Sequence, residues 1–100
     1  MTVVLAVRIE LRLPGSHSLK EKRHVVRSMV ERLQRRNHFA AAEVGGNDAW
    51  QRAVISFCAV GNSERLLRSA VDAALGGIER DWPEVTVQEV EIEALRPFED

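Results

Sequence analysis

Apolar and polar residues alternate along the start of the chain. Val3, Leu5, Val7, Ile9, Leu11 and Leu13 interleave with Val4, Ala6, Arg8, Glu10 and Arg12. This period of two predicts a half-buried strand, ended by Pro14-Gly15. Ser18, three residues before Glu21, forms a capping box that opens a helix. Leu19, Val26, Met29, Val30 and Leu33 share one helical stripe, with Lys20, His24, Arg27, Glu31 and Arg35 opposite, and the pattern runs to Arg36. Phe39 to Val44 reads as a short Ala-rich strand, Gly45-Gly46-Asn47-Asp48 as a hairpin turn, and Trp50 to Val60 as a third strand. In that strand Ala53, Ile55, Phe57 and Ala59 are the core set. Asn62 or Ser63 caps a second helix with Leu66 or Leu67, Ala70, Val71, Ala74, Leu75 and Ile78 inward. Gly76-Gly77 weakens its last turns and Trp82-Pro83 stops it. Val85 to Ala94 is a final strand, and its parity change between Val87 and Val90 predicts a β-bulge near Gln88.

The order β-α-β-β-α-β is the split βαβ pattern, an α+β ferredoxin-like fold with both helices on one face of a four-stranded antiparallel sheet ordered 4-1-3-2. The two long, capped helical patterns disfavour a β-rich alternative. Three connections, Pro14–Ser18, Gly45–Ala49 and Trp82–Glu84, then share one end, and the basic start of the first helix neighbours the hairpin and its Asp48. The uncovered face of the sheet carries Val4 and Ala6 beside Cys58 and Val60, a small apolar patch of the kind that marks a partner surface. Arg8, Arg12 and Arg52 occupy its other end. The Ala-rich second strand is an edge with unpaired backbone groups. Together these lead to the expectation of a homodimer.

One hundred residues, 45% hydrophobic and 29% charged, make a single globular domain spanning 1–100. The longest apolar run, Val3 to Val7, is too short for a membrane span or a signal sequence. The lone Cys58 excludes an internal disulfide and a cysteine metal cage, so a cytoplasmic location is expected. Net charge is −1, but residues 1–40 hold nine Lys and Arg against three acids, and the remaining sixty hold five Arg against twelve. Such asymmetry points to an anionic partner for one face or to attraction between copies, unless the fold interleaves the halves. Arg outnumbers Lys twelve to two. That suits bidentate phosphate contacts, although a GC-rich genome produces the same bias.

The strongest local signal is Ser16-His17-Ser18-Leu19-Lys20-Glu21-Lys22-Arg23. Cations at a helix N-terminus oppose the helix dipole, so their placement there is either a phosphate seat or a set of internal ion pairs. The seat would comprise Ser18, Lys20, Lys22 and Arg23, extended along the helix by Arg27 and Arg35. In the competing reading Glu21, Glu31 and Asp48 neutralise the same charges. Base stacking of the kind used by RNA-recognition sheets is absent, because the first strand has no aromatic residue and the third offers only Trp50. Any RNA contact is therefore electrostatic and salt-sensitive. His17, His24 and His38 are spaced so that they do not converge on a metal. Cys58 has no adjacent His and reads as a small packed residue. Glu89, Glu91 and Glu93 share one strand face and pair with Arg8 or Arg12. With no nucleophile elbow, P-loop, dinucleotide fingerprint or zinc-protease motif, neither a catalytic site nor a cofactor is expected.

Arg8-Ile9-Glu10-Leu11, Leu13-Pro14-Gly15-Ser16, Ser18-Leu19-Lys20-Glu21-Lys22-Arg23, Glu43-Val44-Gly45 and Asp48-Ala49-Trp50-Gln51-Arg52-Ala53 together resemble the YlxP-like family of small bacterial proteins, a domain of unknown function. The likeness covers nearly the whole chain. It implies a ferredoxin-like fold, association as dimers, and a gene among those for translation and ribosome maturation, near ribosome-binding factor A and initiation factor two. It implies no catalytic residues. The hairpin reads Gly45-Gly46-Asn47 where relatives often carry a His or another polar residue. The hairpin residues Asp48, Trp50 and Arg52 thus stand as a motif without an assigned role. Two functions are expected: an accessory protein touching rRNA or the small ribosomal subunit through its basic helix, or a homodimeric interaction module with no nucleic-acid contact.

Overall fold

The alternation at the start of the chain becomes the inner strand β1 (Val3–Arg12), whose odd residues from Val3 to Leu11 are buried beneath two helices. The computed structural model describes residues 1–98. After β1 come α1 (Leu19–Arg35), β2 (Ala40–Gly45), β3 (Arg52–Gly61), α2 (Glu64–Asp81) and β4 (Thr86–Leu95). The strands form one antiparallel sheet in the order β2-β3-β1-β4, the expected ferredoxin-like arrangement read from its other edge.

Leu5, Val7, Ile9 and Leu11 of β1 and Ala53, Ile55, Phe57 and Ala59 of β3 form one side of the core. Val26, Met29 and Leu33 of α1 and Val71, Ala74 and Ile78 of α2 close it from above. Each buried aliphatic side chain contributes about 1.5–3 kcal/mol relative to exposure. Phe39 precedes β2 rather than beginning it. The chain leaves α1 through His38 in the left-handed region (φ 59°), and Phe39 stacks on Phe57 with ring centroids 5.1 Å apart.

The bulge expected near Gln88 is present: Glu10 pairs with Glu89 but Leu11 with Val87, leaving Gln88 as the extra residue. A second bulge, at Val44, was not legible in the Ala-rich pattern; Glu43 pairs with Ile55 and Gly45 with Val54. Ser63, not Asn62, caps α2, accepting a hydrogen bond from the Leu66 amide. Leu67 packs against the core, whereas Leu66 is exposed. Ala70, expected inward, is also exposed, because the buried stripe runs Val71, Ala74, Gly77 and Ile78.

α2 continues through Gly76-Gly77 to Asp81, and Arg32 of α1 supports that end. Its guanidinium donates to the Gly77 carbonyl at 3.4 Å and to the Asp81 carboxylate, and lies 4.5 Å from the centroid of the Trp82 ring. A cation at a helix C-terminus is favourable to the dipole, and its face-on approach to an indole adds to that. The hydrogen bond from Arg32 holds the Asp81 carboxyl below the usual carboxylate range, with the Arg32 and Arg80 charges assisting against partial desolvation.

A carboxyl whose folded pKa is depressed contributes stability that is present above its unfolded pKa and lost as pH falls through the folded value. Urea unfolding of the wild type should therefore shift to lower midpoints below about pH 5. Asp81→Asn should unfold at lower urea near neutrality and lose part of that acid slope. In the core, Phe57→Ala should cost about 3–5 kcal/mol, read from the same urea transitions.

Candidate functional site

The capping box forms as its residues dictate. The Ser18 hydroxyl accepts from the Glu21 amide at 3.1 Å, and Glu21 Oε2 accepts from the His17 amide at 2.8 Å. This geometry corrects the phosphate seat in two respects. The Ser18 oxygen and the Glu21 carboxylate already cap the helix start, so the end is not an open anion cradle.

Lys22, moreover, does not face solvent. It is fully buried, with Nζ 2.5 Å from Glu43 Oε2 and 2.7 Å from the Gly46 carbonyl. The helical stripe explains this: Lys22 lies one turn before Val26 on the face turned toward β2, and its four-carbon stem packs there while its ammonium reaches the hairpin. The neighbourhood of helix and hairpin is as expected, but Glu43 takes the part assigned to Asp48, which is exposed in the turn. Gly46 adopts a positive φ of 71°, and a Cβ there would meet the Arg52 carbonyl oxygen at 2.9 Å, so the turn that presents its carbonyl to Lys22 requires glycine.

Gln51 supplies a second tie. Its side-chain amide donates to the Pro14 and Ser16 carbonyls at 3.3 and 3.2 Å, and its backbone carbonyl accepts from the Leu13 amide at 2.9 Å. Gln51 lay within the hairpin motif, but nothing in its spacing revealed its partners. The segments Leu13–Ser16, Ser18–Arg23, Glu43–Gly46 and Gln51–Ala53 are thus linked to one another at one end of the sheet. Trp50 stands half-exposed beside them.

The other cations of α1 behave differently. Lys20, Arg23, Arg27 and Arg35 are exposed, as is Arg36 just beyond the helix. Among the described residues these five, with Arg65 of α2, are the Lys and Arg side chains that make no ion pair with a carboxylate.

On the open face of the sheet the cations are paired. Arg8 Nη2 lies 2.7 Å from Glu91, and Arg52 Nε lies 2.6 Å from Glu10. Arg12 reaches Gln88 at 2.5 Å and Glu10 at 3.7 Å. The Arg52 hydrogen bond draws the Glu10 carboxyl below its usual range, and the Glu91 hydrogen bond raises Arg8.

Val4 pairs in register with Val60, and Ala6 with Cys58, so the expected apolar patch is assembled. Cys58 is exposed there rather than packed, because even positions of β1 and β3 face away from the helices. Val60 is its most exposed member (68%), and Leu95 (42%), which pairs with Val4, enlarges the patch. A shallow cavity of about 500 Å³ lies over Ala6, Arg8, Ser56, Cys58, Glu91 and Glu93. The Val44 bulge makes β2, an edge that could accept another strand, irregular at its hairpin end. Among the described residues no three His, Cys, Asp or Glu side chains gather around a metal position, and no helix is long and apolar enough to cross a membrane.

The buried ammonium carries a measurable asymmetry. Glu43→Ala leaves Lys22 charged and unmatched, and should cost about 3–5 kcal/mol by urea denaturation. Lys22→Met leaves Glu43 near solvent and should cost less.

Residues 4–92 match the family described as "Protein of unknown function (DUF503)". The chain is 32% identical over 68 residues to the "Uncharacterized protein YlxP" of Bacillus subtilis (strain 168), covering 68% of this chain and 73% of that protein. Among solved structures it resembles the de novo designed protein Foldit4, with a TM-score of 0.52 and 14% identity over 96% of this chain and 98% of the design. It also resembles part of a VAO-type flavoprotein from Myceliophthora thermophila C1, with a TM-score of 0.57 and 14% identity over 95% of this chain and 18% of the flavoprotein. At such identities the structural likeness is one of fold alone. The match across residues 4–92, together with the Bacillus relative, makes this chain a member of the YlxP-like DUF503 family.

Proposed function

We propose that this protein is a non-enzymatic cytoplasmic accessory factor that contacts RNA, within a ribosomal particle, through the exposed side of α1. The observation that carries this reading is the division of the cations. The Arg side chains of the open sheet face are neutralised by Glu10 and Glu91, whereas Lys20, Arg23, Arg27, Arg35 and Arg36 face solvent together without carboxylate partners among the described residues. Unpaired cations gathered along α1 and at its C-terminal end provide what phosphate neutralisation and counterion release require.

The acids of the last strand lie away from this ridge, and Glu31 is the one acid in its middle. Glu89, Glu91 and Glu93 are on β4 at the opposite edge of the sheet from β2, over which α1 packs. A polyanion therefore meets α1 first. The placement among translation genes that the family resemblance implies supports ribosomal RNA as that polyanion. A non-enzymatic role is supported by the cavity over the open sheet face, an open trough whose Arg8 and Glu91 already satisfy each other.

A second reading, a homodimeric interaction module, is favoured by the assembled apolar patch of Val4, Ala6, Cys58 and Val60, extended by Leu95. Mass measurement in solution tests it, and a strict monomer at high concentration counts against it.

For the first reading, the protein should co-sediment with the small ribosomal subunit at low salt and be released as salt rises. Lys20→Glu with Arg23→Glu should reduce the bound fraction roughly tenfold or more. Equal co-sedimentation of the double variant and the wild type would remove α1 as the contact surface.

A further inference from the structure

We infer that the α1 ridge is shaped for the backbone of double-helical RNA, lying across its minor groove, rather than for a single strand. This inference rests on the RNA reading above and adds the geometry of the ligand.

The exposed cations fall into two clusters. Lys20, Arg23 and Arg27 sit at spacings of three and four on one helical row, and Arg35 and Arg36 lie at the helix end. Arg27 and Arg35 are eight residues apart, about 12 Å along the axis. Between them, near the middle of the same face, stands the exposed carboxylate of Glu31, beside a hollow of about 300 Å³ that Arg35 and Arg36 also line.

A single phosphate chain following the ridge would have to pass over Glu31, where like charges repel. Two phosphate rows flanking a groove meet the two clusters and leave Glu31 above the gap. The chemistry of stacking points the same way. Residues 19–35 contain no Phe, Tyr or Trp, and His24 is the only ring on the outer face. Unstructured strands gain much of their affinity by stacking bases on aromatic side chains, about 1–3 kcal/mol per base, and this surface offers little of that.

The groove must also be shallow. α1 lies beside α2 in one layer, tied to it by Arg32 and Asp81, so only its outer side can approach a ligand. The major groove of B-form DNA is about 8.5 Å deep and its minor groove only about 6 Å wide. The A-form minor groove is wide and shallow, and is read through its backbone and shape.

Fluorescence anisotropy with the full chain tests this, using an RNA duplex of about 20 base pairs, one of its strands alone, and the DNA duplex of the same sequence. The RNA duplex should bind at least about tenfold more tightly than either alternative, and lose about 10²-fold in affinity between roughly 50 and 200 mM salt. Glu31→Lys joins the clusters into one track and should raise single-strand affinity several-fold more than duplex affinity. Circular dichroism of each variant checks that it is folded. Equal binding of the single strand or of the DNA duplex, or an equal gain for both RNA forms in Glu31→Lys, overturns the groove geometry while leaving RNA contact standing. Binding of none of the three nucleic acids removes both readings.

Discussion

The rest of the surface depends on how α1 is rolled about its own axis, and the Lys22 ammonium helps to fix that roll. Burying a charge without a partner is prohibitive. Glu43 and the Gly46 carbonyl therefore hold Lys22 in one position, at the end of the stripe formed by Val26, Met29 and Leu33. Turning α1 by one residue, about 100°, would expose that stripe and strand the ammonium. With Lys22 inward, Lys20, Arg23 and Arg27 must point outward. The buried pair is weak grounds for a gain in stability, since a well-packed apolar replacement can do as well. Its consequence is orientational: the same contact that ties the helix to the hairpin exposes the ridge.

Charge separation follows from this arrangement together with the one-sided sheet. Because both helices cover the same face, the alternate residues of β1, β3 and β4 are left to solvent. Those positions hold cations and acids opposite one another, which match in pairs such as Arg8 with Glu91 and Arg52 with Glu10. α1 has no facing strand on its outer side, so its cations find no such neighbours. The molecule presents a largely self-neutralised sheet face with an apolar end, and a basic helix on its other side.

The end of the molecule where α1 begins is unusually well tied for a region of loops. The capping box, the Lys22 clasp and the Gln51 bridges join the first connection, the helix start and the hairpin. Loops with satisfied backbone groups hold their shape, and a rigid end keeps Lys20 and Arg23 in fixed relation to the hairpin. The residues that carry the family resemblance fall largely in these ties, which gives several of them a structural duty independent of any ligand. Arg32 does the same for the far end of α2, where two glycines would otherwise leave the last turns weak.

The element order, the sheet topology, the inward faces of β1 and β3, and the bulge near Gln88 were legible in the sequence because each follows from a local period of two or 3.6. The apolar patch was legible too, because the split βαβ order makes β1 and β3 antiparallel neighbours. The burial of Lys22, the choice of Glu43 over Asp48, the Gln51 bridges, the Val44 bulge and the exposure of Cys58 were not. Each depends on which distant atoms meet. A lysine one turn from a valine reads equally well as a surface cation or as a snorkelling stem until the hairpin is folded against it. Periodicity, a property of the chain alone, determined what forms and which side is apolar. The pairing of charges, a property of distances between segments far apart in sequence, was decided only by the tertiary structure, and it separates the cations that hold the fold together from those left exposed to solvent.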